Sequence, residues 1–446
     1  MSVTELEVRI GGHAVATLSS RDGFEHYLTY HPKVPPDSFV SLLMPVQLKS
    51  WNWPTLHPFF EMNLPEGYLL QLLKEQMGTL MGSRPLDLLA VVGSNMIGRV
   101  SLQLPGTNSA PGGNPDLKAL LTAPRSLDRF HELMREYATS GVSGVVPKFL
   151  SPELKSTFRK ASVATERYIV KASSDTLPFL ALNEHLCMRV AARTGAEVAD
   201  TLVSDDGQVL LVQRFDVTDE GRRLGFEDLC SLLGLTSDDK YNSNWDRVAA
   251  RVSELVPTPH LHSSNEQLAR ILLLTFALGN ADCHTKNLGL LYSSEADVRV
   301  APIYDMLSIR IYDRYANNSP GMFIGGRKSW DPGKALEIYM RQQLGIEPAQ
   351  QRTLIEQVCD AVSGTLPELH HHAANIPGFM ETASRMVHEW DQGLKRLAKH
   401  PAIAVPDLIA ASVSQGINPK PTRPAARRRT GESPLLGRRS RRPPPS

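Results

Sequence analysis

Asp282 and Asn287 stand five residues apart in the stretch Gly279-Asn280-Ala281-Asp282-Cys283-His284-Thr285-Lys286-Asn287. A carboxylate can orient a hydroxyl, and an amide oxygen at that spacing can hold a divalent cation, which is the chemistry of a phosphoryl-transfer loop. Eighteen residues beyond Asn287, Tyr304-Asp305 offers a second carboxylate. Magnesium takes such hard oxygens, one or two from the protein and the rest from phosphate and water. The same letters also fit a surface turn capped by Asp282 and Asn287. Further upstream, Tyr168-Ile169-Val170-Lys171 ends an apolar run in a lysine that can reach nucleotide phosphates from a sheet. Glu184 follows thirteen residues later as its ion-pair partner. Alone, Lys171 also reads as a solvated strand end. Gln213-Arg214-Phe215-Asp216 breaks another apolar run into polar residues, suited to a hinge whose backbone holds adenine. The order lysine, glutamate, hinge, Asp-to-Asn loop, aspartate is the order of the parts in a protein kinase.

These residues need elements to hold them. Helical spacing over Leu268–Leu278 and strand character over Leu288–Tyr292 put Asp282 and Asn287 on a loop between two rigid pieces. A strand over Arg167–Lys171, a helix over Glu184–Arg193 ending at Gly195, and strands over Val198–Val203 and Val209–Phe215 would carry the lysine, the glutamate and the hinge. Val298–Ala301 is the strand before Asp305. Towards the N-terminus, Leu6–Ile10 and His13–Leu18 alternate about Gly11-Gly12 as a hairpin, and helices are expected over Phe60–Met77 and Pro85–Val91. Ile97–Leu104 reads as a strand. Gly, Pro, Asn and Ser fill nine of the eleven positions from Pro105 to Pro115, a linker. Ser140-Gly141-Val142-Ser143-Gly144-Val145-Val146-Pro147-Lys148 is no Walker loop, but its glycines let backbone N–H groups approach phosphate.

With these stretches the chain resembles the HipA-like serine/threonine kinases, toxins of bacterial toxin–antitoxin pairs. The likeness runs over roughly residues 1–400 and includes Met62-Asn63-Leu64-Pro65-Glu66-Gly67, Asp87 to Leu104, Asn183-Glu184 and Ala301-Pro302-Ile303-Tyr304-Asp305. It implies an α+β, two-lobed protein-kinase-like fold, distantly similar to phosphoinositide kinases. The implied division is residues 1–105 for an N-terminal α+β subdomain and 106–215 for an N-lobe with the phosphate loop. Residues 216–400 would form a mainly helical C-lobe, and 401–446 a Pro/Arg-rich tail, disordered from about 418. By resemblance Asp282 is the catalytic residue, and Asn287 with Asp305 are the Mg²⁺ ligands. Ser143, Gly144, Val145, Val146, Pro147, Lys148, Lys171, Gln213, Arg214, Phe215, His284, Lys286, Tyr304 and Asp305 would bind ATP. The implied activity is ATP- and Mg²⁺-dependent phosphorylation of a protein Ser or Thr, with an aminoacyl-tRNA synthetase as the family's kind of substrate. A small helix-turn-helix antitoxin would be the partner, with DNA met mainly through it. The family's loop begins with a serine that silences the enzyme when autophosphorylated. Here that position is Gly141, which leaves Ser143 or Ser140 as acceptor.

Composition narrows the alternatives. The 446 residues carry 41% hydrophobic and 21% charged side chains, enough for a core and against a fibrous or disordered chain. Net charge is +1, but residues 418–446 hold nine Lys/Arg and one Glu, so the body is mildly acidic and only the tail is basic. Cys187, Cys230, Cys283 and Cys359 are too scattered for a zinc ribbon or disulfide framework and read as reduced thiols. Neither a secretory leader nor an apolar run of membrane length is expected, which points to a cytoplasmic protein. Two other readings stay open: a weakly active co-repressor acting with the antitoxin on DNA, and a metal-dependent hydrolase built on Asp282, His284 and Asp305. His370-His371-His372 diverge on a helix and cannot converge on one ion.

Overall fold

In the computed structural model, which describes residues 3–21, 23, 25–64, 84–107, 117–139, 161–399 and 403–424, the N-terminal alternation becomes a five-stranded antiparallel sheet. β1 (Glu5–Ile10) pairs with β2 (His13–Arg21) about Gly11-Gly12, β3 (Glu25–Tyr30) and β4 (Trp51–Trp53) follow, and β5 (Val100–Gln103) returns beside β1. Leu6, Val8, Leu18 and Leu28 point to one face, where Phe59, Phe60, Leu86 and Leu89 cover them. The helix expected at Pro85 runs to Val92 and stops at Gly93 (α1). Of the helix expected over Phe60–Met77, the described part is a single turn, Pro58–Glu61; residues 65–77 lie outside the described residues.

A second antiparallel sheet has the order β6 (Ala161–Ala164), β7 (Tyr168–Ala172), β9 (Val209–Gln213), β8 (Thr201–Val203). On β7, Val170 and Ala172 pack towards Leu120 and Phe130. The period of two therefore turns Ile169 and Lys171 to the opposite face. There the helix α2 (Leu180–Arg193) presses Leu182, Leu186 and Val190 against Leu210 and Val212. It starts four residues before Glu184, which sits in its second turn and not at its opening.

The remainder is mostly helical. α3 (Thr258–Leu278) runs through the core with its last eight residues all buried, and α4 (Pro348–Asn375) and α5 (Phe379–Leu397) pack around it. Gly393 on α5 lets the two helices touch, since a Cβ there would sit 2.0 Å from the Ala277 carbonyl oxygen. A small sheet pairs β10 (Gly225–Asp228), which precedes α3, with β11 (Gly289–Tyr292) and β12 (Arg299–Val300), which follow the loop that α3 feeds. Placed chain continues past the boundary expected near 418. Ile417 is buried, and Ser384 Oγ donates to the Asn418 carbonyl at 2.5 Å, so the tail is pinned to α5 before its basic part begins. Residues 425–446 lie outside the described residues.

The N-terminal unit is tied to the rest of the chain by buried polar contacts. Glu227 on β10 accepts from Ser41 Oγ (2.6 Å), the Leu42 amide (2.7 Å) and Tyr292 Oη (2.8 Å). Arg99 donates to the Ser293 carbonyl at 3.3 Å and lies over the Tyr292 ring, 5.1 Å from its centre. Asp216 accepts from the Gly98 amide at 2.7 Å.

Candidate active site

Because Lys171 shares its strand face with Ile169, its side chain meets α2 in the cleft. Its Nζ donates to Glu184 Oε1 at 2.5 Å and to Asp305 Oδ1 at 2.7 Å. Burial pulls the Lys171 pKa down, but the Asp305 and Glu184 carboxylates outweigh it and the net direction is up, so the ammonium persists through neutral pH. Asp305 arrives on a chain fixed from both sides: Ile303 N donates to the Glu197 carbonyl and Ala199 N to the Ile303 carbonyl. Its own φ of 54° is in the left-handed region, which aspartate tolerates better than most residues. The preceding Tyr304 donates its hydroxyl to the Lys286 carbonyl at 2.8 Å, which joins the aspartate to the Asp282–Asn287 loop.

That loop begins where α3 ends, at Gly279 with φ 67°. Glycine is required twice over: for the left-handed turn, and because a Cβ would sit 2.7 Å from Glu389. Asn280 Oδ1 then accepts the Asp282 amide at 3.1 Å, and Asn287 Nδ2 donates to the Asp282 carbonyl at 2.9 Å, closing the loop on itself. Asp282, His284 and Asn287 are all buried. Tyr241 Oη donates to Asp282 Oδ1, and the Tyr241 ring stands edge-on to His284 with centroids 4.8 Å apart. Gly321 presses on the loop from outside; a Cβ there would be 2.1 Å from the Cys283 carbonyl oxygen. Burial pushes the Cys283 thiol up to about 12, so it is a packing residue and no nucleophile.

The donor set suits a hard cation. Asn287 spends its NH₂ on the Asp282 carbonyl, which leaves the amide oxygen for a metal, and Asp305 supplies a carboxylate. Asp282, His284 and Asp305 do not make a three-ligand centre: among the described residues no group of three or more His, Cys, Asp or Glu could hold one ion. The hydrolase reading has no ligand set here.

At the hinge, Phe215 packs with Phe226 and Tyr304, ring centroids 5.4 and 5.6 Å apart. Gln213 ends β9 with its amide on the Asp200 carbonyl. The Arg214 side chain is engaged by protein partners: it pairs with Asp216 at 2.5 Å and donates to the carbonyls of Met96 and Thr165, a buried knot joining three parts of the chain. Lys286 reaches Ser237 Oγ at 3.4 Å. Ser140 through Lys148 lie outside the described residues.

Two residues in this arrangement had no signal in the sequence. Tyr241 sits in the polar run Ser237-Asp238-Asp239-Lys240-Tyr241-Asn242-Ser243, which reads as a loop, and Gly321 lies beyond every motif. Elsewhere the histidine triplet behaves as its spacing dictates, with His370 on Ser412 and His371 on Asn375. All four cysteines are buried and unpaired as disulfides. None of the described helices is long and apolar enough to cross a membrane.

Comparison with known proteins follows the same division. Residues 140–366 match the family model of the HipA-like C-terminal domain, and residues 6–103 match that of the HipA N-terminal domain. "Putative kinase Y4dM" of Sinorhizobium fredii is 27% identical over 336 residues, covering 69% of this chain and 77% of that protein. A "Putative kinase" of Haemophilus influenzae is 26% identical over 166 residues, 34% of this chain and 48% of that protein. Among solved structures, a chain of the Shewanella oneidensis complex of HipA, HipB and operator DNA superposes with a TM-score of 0.62. It shares 18% identity, covers 89% of this chain and 98% of its own length, and has the same kinase-like α+β fold.

Proposed function

Since the chain belongs to the HipA-like family, we propose that it is an ATP- and Mg²⁺-dependent kinase that phosphorylates a protein serine or threonine. One observation carries the reading. Lys171, Glu184 and Asp305, spread over 134 residues, meet in a single, partly buried ion cluster beside the Asp282–Asn287 loop. A structural ion pair needs only two partners. A lysine held between a helix carboxylate and a second carboxylate next to a loop asparagine is the arrangement that clamps nucleotide phosphates.

In this reading the Lys171 ammonium neutralises phosphate charge, and Glu184 keeps it aimed. Asp282 orients the acceptor hydroxyl and takes its proton as the oxygen bonds to the γ-phosphorus. The bond from that phosphorus to the β–γ bridging oxygen breaks, and ADP leaves. Asn287 and Asp305 would hold Mg²⁺, which supplies charge neutralisation at the phosphates when bound. Phe215 and Tyr304 offer aromatic faces near the hinge. Most of the acceleration comes from positioning and fixed charge, so little else is asked of the protein. Ser143, or Ser140, would accept phosphate in autophosphorylation, read as an 80 Da step in intact mass.

Thermal shift tests nucleotide recognition. Mg-ATP should raise the melting temperature in a saturable way, and Mg²⁺ or ATP alone should raise it less. A melting temperature indifferent to Mg-ATP would leave the cleft without its ligand. The solved HipA–HipB–DNA assembly supports a helix-turn-helix antitoxin as partner and DNA contact through it. An aminoacyl-tRNA synthetase is the proposed class of substrate.

A further inference from the structure

Asp282 is 7% exposed. On the reading above, this carboxylate must receive a hydroxyl from another protein, yet a hydroxyl of this chain already occupies it: Tyr241 Oη donates to Asp282 Oδ1. The contact is built and not incidental, because the segment that carries Tyr241 is strapped to the loop at Thr285 and to neighbouring segments at further points. The Lys240 carbonyl accepts from Thr285 N and Oγ1 (3.3 and 3.0 Å). The Tyr241 carbonyl accepts from Lys328 Nζ (3.0 Å), and the Ser243 carbonyl from Phe323 N (3.2 Å). Ser237 N reaches back to Glu61 Oε1 at 3.1 Å. The phenol thus makes the bond that an acceptor serine or threonine would make.

We propose that Tyr241 occupies the acceptor-hydroxyl position on Asp282, and that it is a gate which the protein substrate must displace. The inference rests on Asp282 being the catalytic carboxylate. Its consequence is that the resting enzyme wastes little ATP, because water meets the same obstruction as a serine. An acceptor segment gains access by competing for Asp282 Oδ1, with the strap bonds of Lys240 and Ser243 holding the backbone while the Tyr241 side chain turns out. None of the nucleotide contacts assigned to Lys171, Asn287 or Asp305 involves Tyr241, so gating and ATP affinity are separable.

Water serves as the test acceptor, with release of ADP from Mg-ATP as the readout in the full-length protein. Tyr241→Phe keeps the ring beside His284 and removes only the hydroxyl. Its kcat for ADP release should rise roughly ten-fold, about the factor that one charge-assisted hydrogen bond sets on an open–closed equilibrium, while KM for ATP stays within two-fold. Tyr241→Ala should rise at least as much. A kcat for Tyr241→Phe that is unchanged, lower or undetectable overturns the gate and makes Tyr241 a residue that only positions Asp282. Asp282→Asn, alone and combined with Tyr241→Phe, separates the two readings. Both should be inactive; if Asp282→Asn released ADP like wild type, the kinase assignment would fall and the gate with it.

Discussion

Lys171 faces two carboxylates, and its removal has two separable effects. Lys171→Met takes the positive charge from the position proposed for nucleotide phosphate, and loss of one such fixed charge costs about 10²–10³-fold in turnover. It also leaves Glu184 and Asp305 close together without the cation between them, so one of them should protonate more readily. Steady-state ADP release and the melting temperature, measured together, check this: activity should collapse, and stability should fall more at pH 8 than at pH 6. Equal loss at both pH values would mean that the two carboxylates do not feel each other. Much of this cluster was legible at the level of single residues, because Lys171, Glu184, Asn287 and Asp305 sit in ordered motifs whose spacing is chemical. Tyr241 was not. Its contact with Asp282 arises from a 41-residue separation closed by a strap of backbone hydrogen bonds, which no local pattern encodes.

The elements hold a different kind of information. Alternation in β1 and β2 and the Gly279 stop of α3 were readable because periodicity and left-handed glycines are local properties. The junction between the N-terminal sheet and β10 was unreadable, since it depends on which buried polar groups meet. Glu227 is the centre of that junction, and burial pushes its carboxyl up to about 7, against three donors that pull it down. The raised folded value sets the sign: stability from Glu227 is complete below the unfolded carboxyl range near 4.5 and declines as pH rises towards 7. The size is on the order of 3 kcal/mol. Glu227→Gln should remove this dependence, with its NH₂ turned to Ser41, whose hydroxyl can accept. Urea unfolding at pH 5.5 and 8 should show the wild type losing stability relative to the variant at the higher pH. Parallel profiles would put the ionised carboxylate in the folded state.

At the scale of the whole molecule, the N-terminal sheet reaches the hinge through Arg214–Asp216–Gly98 and reaches β10 through Glu227, so the kinase-like part is braced at two points. The chain order of motifs and their resemblance to a family suggest this fold class, whereas the mode of bracing depends on long-range meetings of buried polar groups that no motif encodes. A partner of the helix-turn-helix class should co-purify with this chain when the neighbouring reading frame is co-expressed, and its absence from a stoichiometric complex would count against the antitoxin. The central proposal is transfer of the ATP γ-phosphoryl by Asp282, with Asn287 and Asp305 as the proposed metal ligands. It is tested most directly by incubating purified wild type and Asp282→Asn with γ-³²P-ATP, Mg²⁺ and a dephosphorylated lysate of the source cells. Wild type should label a discrete protein band on serine or threonine, and Asp282→Asn should lose at least about 10³-fold of that label while keeping its circular dichroism spectrum. Equal labelling by the two proteins, or none by wild type with EDTA-independent ATP turnover, would contradict it.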